Sequence, residues 1–169
     1  KIILGLAATL DGFIEGPNGE YDWCFTDQDY GMEKFLSTVD AIFYGRKSYE
    51  VMIRAEGGNP FEKIKGYVFS NTLKDAAKGF EILSGDIVTK VKALQREKGK
   101  NVWLFGGASL TSTFMNEGLV DEVWMSVHPI LLGSGKLLFT GIRKRIKLDL
   151  VETKPYTTGL VSLRYNVLK

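Results

Sequence analysis

The sequence predicts an α/β fold of three layers, with a mostly parallel central sheet, helices on both of its faces and an antiparallel hairpin at the C-terminal edge. Three observations carry this. Ile2-Ile3-Leu4 and Val102-Trp103-Leu104-Phe105 are too apolar for strands with one wet face, as central parallel strands are. Segments with apolar residues at helical spacing alternate with such strands as far as Met115. Residues 146–152 and 160–167 instead alternate apolar and polar on either side of Pro155-Tyr156-Thr157-Thr158-Gly159, as an edge hairpin does.

In chain order, Lys1 to Ala8 is a central strand, and Thr9 to Gly19, rich in glycine, is a long loop. Thr26 to Val39 reads as a helix: Thr26 or Asp27 can cap it, its first turn is acidic, and Tyr30, Met32, Phe35, Leu36 and Val39 are its apolar positions. Asp40 to Tyr44 is a short buried strand that ends at Gly45-Arg46-Lys47-Ser48, where a second helix starts and runs to about Ile53. Residues 54–65, with Gly57-Gly58-Asn59-Pro60, form a surface loop. Gly66 to Phe69 is a strand closed by Ser70-Asn71-Thr72, and Phe80 to Leu83 another. Asp86 caps a helix from about Ile87 to Lys98. The Val102 strand breaks at Gly106-Gly107 and gives way to a helix with apolar positions at Ala108, Leu110, Phe114 and Met115. A strand from Leu119 to Pro129 and the segment Ile130 to Lys136 precede the hairpin.

A length of 169 residues accommodates one domain, 1–169, with a substantial core. The hydrophobic fraction of 44% and charged fraction of 25% exclude a disordered chain. A net charge of +2 is too small to argue for nucleic acid, and the dense basic run, Arg143-Lys144-Arg145 with Lys147, reads as a solvated loop. One cysteine, Cys24, and one histidine, His128, leave no disulfide framework and little to hold a transition metal. No apolar run approaches the roughly 20 residues of a membrane span, and no signal peptide is visible, so the expectation is a cytoplasmic protein with no membrane partner.

The candidate chemistry lies where strands meet glycines and hydroxyls. In an open parallel sheet, ligands collect outside the carboxyl ends of the strands. The corners at Gly45, Ser70 and Gly106 all fall at such ends, and right-handed crossovers bring them to one rim. A dinucleotide suits that rim: a helix N-terminus for the pyrophosphate, Arg46 or Lys47 for an extra phosphate, and the glycine pair against a flat ring. A cation there, without the carboxylate that grips a ribose 2′-hydroxyl, favours NADP over NAD.

Taken in order, Thr9-Leu10-Asp11-Gly12, Gly45-Arg46-Lys47-Ser48-Tyr49-Glu50, Phe105-Gly106-Gly107-Ala108-Ser109-Leu110, Leu119-Val120-Asp121-Glu122 and Pro129-Ile130-Leu131-Leu132-Gly133-Ser134-Gly135 carry a family likeness over nearly the whole chain. The chain resembles the dihydrofolate reductase-like superfamily, in the branch holding the reductase domain of the bifunctional riboflavin-biosynthesis deaminase-reductase and its stand-alone bacterial relatives. The resemblance implies an NADPH-dependent reductase of a small heterocyclic substrate, often a homodimer, with no metal. It places Ala8 and Ile14 beside the nicotinamide, and Arg46, Lys47 and Ser48, with Gly45, at the phosphates. Ser70, Asn71 and Thr72 fall at the adenosine ribose phosphate, and Phe105, Gly106, Gly107, Ala108, Ser109 and Leu110 along the pyrophosphate and nicotinamide. Asp11, then Asp27 or Asp29, are the candidate catalytic carboxylates. Trp23, Tyr30 and Tyr49 are the candidate substrate contacts. Phe105 stands where the riboflavin enzymes place a glutamate, which motivates the alternative of an NADP-binding dimer without catalysis. His128, Trp103 and Trp124 read as packing residues, and Cys24 has no cationic neighbour to activate it.

Overall fold

The computed structural model describes residues 1–55 and 58–169. Its elements are β1 (Ile2–Thr9), β2 (Phe13–Glu15), α1 (Met32–Ser37), β3 (Val39–Gly45), α2 (Arg46–Arg54), β4 (Lys65–Phe69), β5 (Phe80–Leu83), α3 (Ile87–Arg96), β6 (Asn101–Gly106), α4 (Ala108–Asn116), β7 (Glu122–His128), β8 (Lys136–Leu137), β9 (Leu148–Pro155) and β10 (Val161–Val167). The main sheet runs β5-β4-β3-β6-β1-β7-β10-β9. From β5 through β7 each neighbour is parallel, and β10 and β9 close the edge antiparallel. The expected mostly parallel sheet with a C-terminal hairpin is therefore the fold.

Alternation along the strands splits the core into two layers. Ile2, Leu4, Phe43 and Leu104 face Val91 of α3 and Phe114 of α4. Ile3, Ile42, Tyr44 and Trp103 face Phe35 of α1 and Tyr49 and Met52 of α2. Trp103 is the hub of the second layer, with ring centroids 5.0 Å from Phe61 and Phe105 and 5.5 Å from Phe35. Its indole N–H donates to the Gly5 carbonyl at 2.8 Å. A Cβ on Gly5 would sit 2.9 Å from that nitrogen, so the indole reaches the strand only because residue 5 is glycine.

Four expectations are corrected. The first helix begins at Met32, not Thr26, because Tyr30 (φ 52) and Gly31 (φ 87) adopt left-handed backbone that no α-helix continues through. Its N-cap is Gly31, which has no side chain to cap with, and the carboxylate that serves the helix start is Asp29, two residues earlier, rather than Asp27: Oδ1 accepts from Glu33 N–H and Oδ2 from Gly31 N–H, both at 2.9 Å. Val39 belongs to β3. The loop after β1 contains β2, which gains regular structure by pairing antiparallel with β8, far away in sequence. Gly57 of the expected 54–65 loop lies outside the described residues.

Candidate functional site

Because β4, β3 and β6 are adjacent and parallel, the corners that follow them share one rim, as their spacing predicts. They enclose a groove of about 410 Å³, lined by Gly45, Arg46, Lys47 and Ser48 from the start of α2, by Ser70 and Asn71 after β4, and by Gly107, Ala108, Ser109 and Leu110 from the start of α4.

The corners are locked to one another. Gly107 N–H donates to Ser48 Oγ at 3.0 Å, joining the two helix starts. A Cβ on Gly45 would lie 3.3 Å from the Gly106 carbonyl, so the glycine allows that close approach. The Gly106–Gly107 peptide is cis, and Gly106 has φ +100, which side-chain-bearing residues rarely adopt. Ser70 Oγ accepts from Thr72 N–H and Leu73 N–H, and Asn71 Oδ1 accepts from Gly85 N–H at 2.8 Å. Thr72 does not line the groove, but its hydroxyl accepts from Arg46 Nη1 at 3.1 Å and so holds the guanidinium. Arg46 Nε also lies 3.4 Å from Glu50 one turn later.

The electrostatics favour an anion. Neither α2 nor α4 has a side-chain hydrogen bond at its N-cap or an acidic residue in its first turn, and α2 instead begins with Arg46-Lys47. Cations at the positive end of a helix dipole oppose local stability. The arrangement makes sense when a negative group completes it. By contrast Asp86, outside the groove lining, caps α3 through Thr89 N–H. Among the described residues lining the groove there is no carboxylate, while Lys136 adds a third cation. Sequence reasoning missed Lys136, Thr113 and Gly85. Lys136 directly follows the Gly133-Ser134-Gly135 turn of a motif it did quote, which was the available signal.

The other candidates are not gathered there. Ala8 is buried and lines a second, apolar cavity of about 400 Å³ with Met125, Val127, Val161 and Leu163. Ile14 lies on β2 and lines neither cavity. Phe105 sits at a register shift between β6 and β3 and packs on Trp103 and Tyr44, lining neither. Beside them β1 and β6 separate: they pair only from Ile2–Val102 to Leu4–Leu104, after which β1 continues against β7 and β6 against β3. Divergence of neighbouring parallel strands opens a slot at their carboxyl ends.

Tyr49 is corrected to a core residue. It is 3% exposed, its hydroxyl accepts from Ala77 N–H at 2.9 Å, and it packs on Phe80. Trp23 packs edge-on against His128 at 5.2 Å, and its buried Nε1 has no partner among the described residues. Tyr30 donates to Asp27 Oδ1 at 2.6 Å and packs edge-on against Tyr156. That hydroxyl holds the exposed Asp27 carboxyl below the usual carboxylate range. Asp29 is occupied at the helix start. His128 accepts from Phe25 N–H through Nε2, and burial lowers its basicity. Burial likewise pushes the Cys24 thiol up to about 11, an inert side chain at neutral pH.

Asp11 is a clamp. It accepts from Thr9 Oγ1 at 2.6 Å, from Gly133 N–H at 2.8 Å and from Leu132 N–H at 3.3 Å. The Thr9 hydroxyl leads the interactions that hold its carboxyl below the usual range, outweighing partial desolvation. A carboxylate whose folded-state pKa is depressed contributes stability above its unfolded pKa and loses it as pH falls through the folded value. Asp11→Asn is therefore expected to lower the melting temperature at neutral pH, with the difference from the parent closing as acid protonates Asp11. Thermal melts across that pH range check it, and a difference independent of pH would overturn the role of the charge.

Among the described residues no helix is long and apolar enough to cross a membrane, and no group of three His, Cys, Asp or Glu side chains is placed to hold a metal. The model of the RibD C-terminal domain family matches residues 1–162. The uncharacterized protein YyaP of Bacillus subtilis (strain 168) is 42% identical, over 98% of this chain and 94% of its own. A protein of Shewanella sp. PV-4 named for riboflavin biosynthesis superposes with a TM-score of 0.87 at 22% identity, covering 99% of both chains. Dihydrofolate reductase from Enterococcus faecalis, solved with NADP(H), gives a TM-score of 0.75 at 17% identity, over 99% of this chain and 96% of that one.

Proposed function

From the premise that this chain belongs to the RibD C-terminal domain family, a family of reductase-like domains, we propose that it is a cytoplasmic NADPH-dependent reductase of a small, flat heterocycle. The single observation that carries this reading is the groove in which two uncapped helix N-termini, Arg46, Lys47 and Lys136 converge, with no carboxylate among its described lining residues. That donor set suits a phosphorylated dinucleotide. Arg46, braced by Thr72, and Ser70 would hold an adenosine-side phosphate, and the N–H groups at the start of α4, with Ser48, the pyrophosphate. The slot between β1 and β6, bordered by Ala8 and Gly106-Gly107, would take the flat end. When bound, NADPH supplies a hydride to a C=N or C=O carbon.

This chain's part is then chiefly orientation, which contributes a large share of the rate when a cofactor carries the chemistry. Trp103 and Phe105 stiffen the wall beside the slot. Asp11 fixes the Leu132-Gly133 loop beside the end of β1, and because its charge is stabilised it holds its carboxylate form and is a poor acid at neutral pH. The proton for the reduced atom comes from water. The occupation of Asp11, Asp27 and Asp29 by structural hydrogen bonds favours a second reading, an NADP-binding protein without catalysis. A homodimer fits either one, since Leu131, Leu148, Leu150 and Val151 are exposed.

The test measures NADPH binding by fluorescence, NADPH oxidation over pterins, aminopyrimidine ribosides and small carbonyls, and mass by light scattering. Binding with turnover of one class supports the reductase. Binding without turnover supports the second reading, absence of binding overturns both, and a monomeric mass removes the dimer.

A further inference from the structure

Lys136 comes to the groove from β8 and not from a strand-to-helix corner. Its backbone is fixed on both sides. Upstream, Asp11 holds Leu132 and Gly133, and Glu15 and Lys136 are register partners in the β2–β8 pair. Gly135 (φ +139) makes that approach possible, because a Cβ there would overlap the Glu15 backbone. Downstream, Leu138 N–H donates to the Gly12 carbonyl at 3.0 Å, Ser112 Oγ to the Thr140 carbonyl, and Asn116 Nδ2 to the Gly141 carbonyl at 2.9 Å. The strap is thus tied to α4, the helix whose N-terminus lines the groove. The side chain itself has a loose partner: Nζ lies 3.5 Å from Glu15 Oε1, with the two side chains 37% and 39% exposed. An exposed pair of that length is held weakly.

We propose that Lys136 and Glu15 form a charge-exchange pair that sets the groove's affinity for phosphate. Lys136 leaves Glu15 to contact a phosphate of the bound ligand, and Glu15 competes for it in the free protein. The inference rests on the reading of the groove as a phosphorylated-cofactor site. It has a consequence that a structural salt bridge does not share: removing either partner breaks the same ion pair, yet the effects on binding have opposite sign.

The experiment titrates NADPH into the parent, Lys136→Met, Lys136→Arg, Glu15→Gln and the Met/Gln double variant, with circular dichroism to verify folding. Lys136→Met is expected to weaken binding about tenfold, as loss of a charge-assisted contact does. Lys136→Arg stays within about threefold of the parent, and Glu15→Gln tightens binding about two- to fivefold, the range of an exposed ion pair. In the double variant the gain from Glu15→Gln shrinks, because its beneficiary is gone. Equal weakening by Lys136→Met and Glu15→Gln would show a structural pair and overturn the proposal, as would unchanged binding in Lys136→Met. If the parent itself binds no NADPH, the cofactor reading falls and this inference with it. Parent binding with indifferent variants removes the inference alone.

Discussion

Arg46→Ala is expected to raise the NADPH dissociation constant about ten- to a hundredfold, the effect of a lost charge-assisted hydrogen bond of about 1.5–3 kcal/mol, and to leave NADH within about twofold. The guanidinium is half-exposed at the groove edge, aimed by Thr72 at 3.1 Å and steadied by Glu50. It stands at the N-terminus of α2, where a cation is locally unfavourable until an anion arrives. The Thr72 and Glu50 contacts are exposed and contribute little to folding, so the melting temperature without ligand should barely move. Parallel titrations of both cofactors check the prediction. Equal losses for NADPH and NADH would remove Arg46 from the extra phosphate and leave it a general electrostatic role.

Trp103→Ala is expected to reduce unfolding free energy by about 3–5 kcal/mol, the cost of emptying a large aromatic site in a packed core. For a chain of this size that corresponds to a fall of about 6–20 °C in melting temperature. The ring is 3% exposed and is shared by Phe35, Phe61 and Phe105, so no neighbour can collapse into the space without leaving another contact. Trp103→Phe separates the two contributions: it keeps an aromatic ring but leaves the Gly5 carbonyl without its donor, at about 1–3 kcal/mol. Thermal melts of both variants decide it. A fall of only a degree or two for Trp103→Ala would show that this layer repacks freely and does not stiffen the slot.

Much of the fold was legible because burial on both faces of a parallel strand leaves an unbroken apolar run, and such runs mark β1 and β6. The groove was legible for a related reason. Polar corners on adjacent parallel strands must share a rim, so Gly45, Arg46, Ser48, Ser70 and Gly107 could be brought together from their order alone. Asp29 serving the helix start, against the expected cap at Thr26 or Asp27, shows the limit of local pattern. The helix start was decided by left-handed backbone at Tyr30 and Gly31, although residues 26–29 carry the capping and acidic residues of a helix start.

By itself the sequence determined what depends on neighbours along the chain: the α/β order, the two core layers, the glycine corners and the cations beside them. The tertiary structure alone decided what depends on residues distant along it. It turned Tyr49 into core through Ala77, made Asp11 a clamp on Leu132 and Gly133, and carried Lys136 to the groove through a two-residue strand that exists only because β2 lies beside it. A periodic apolar pattern repeats and can be read locally. A hydrogen bond or an ion pair between distant segments leaves no period in the sequence, and its geometry is set only when the sheet has brought the partners together.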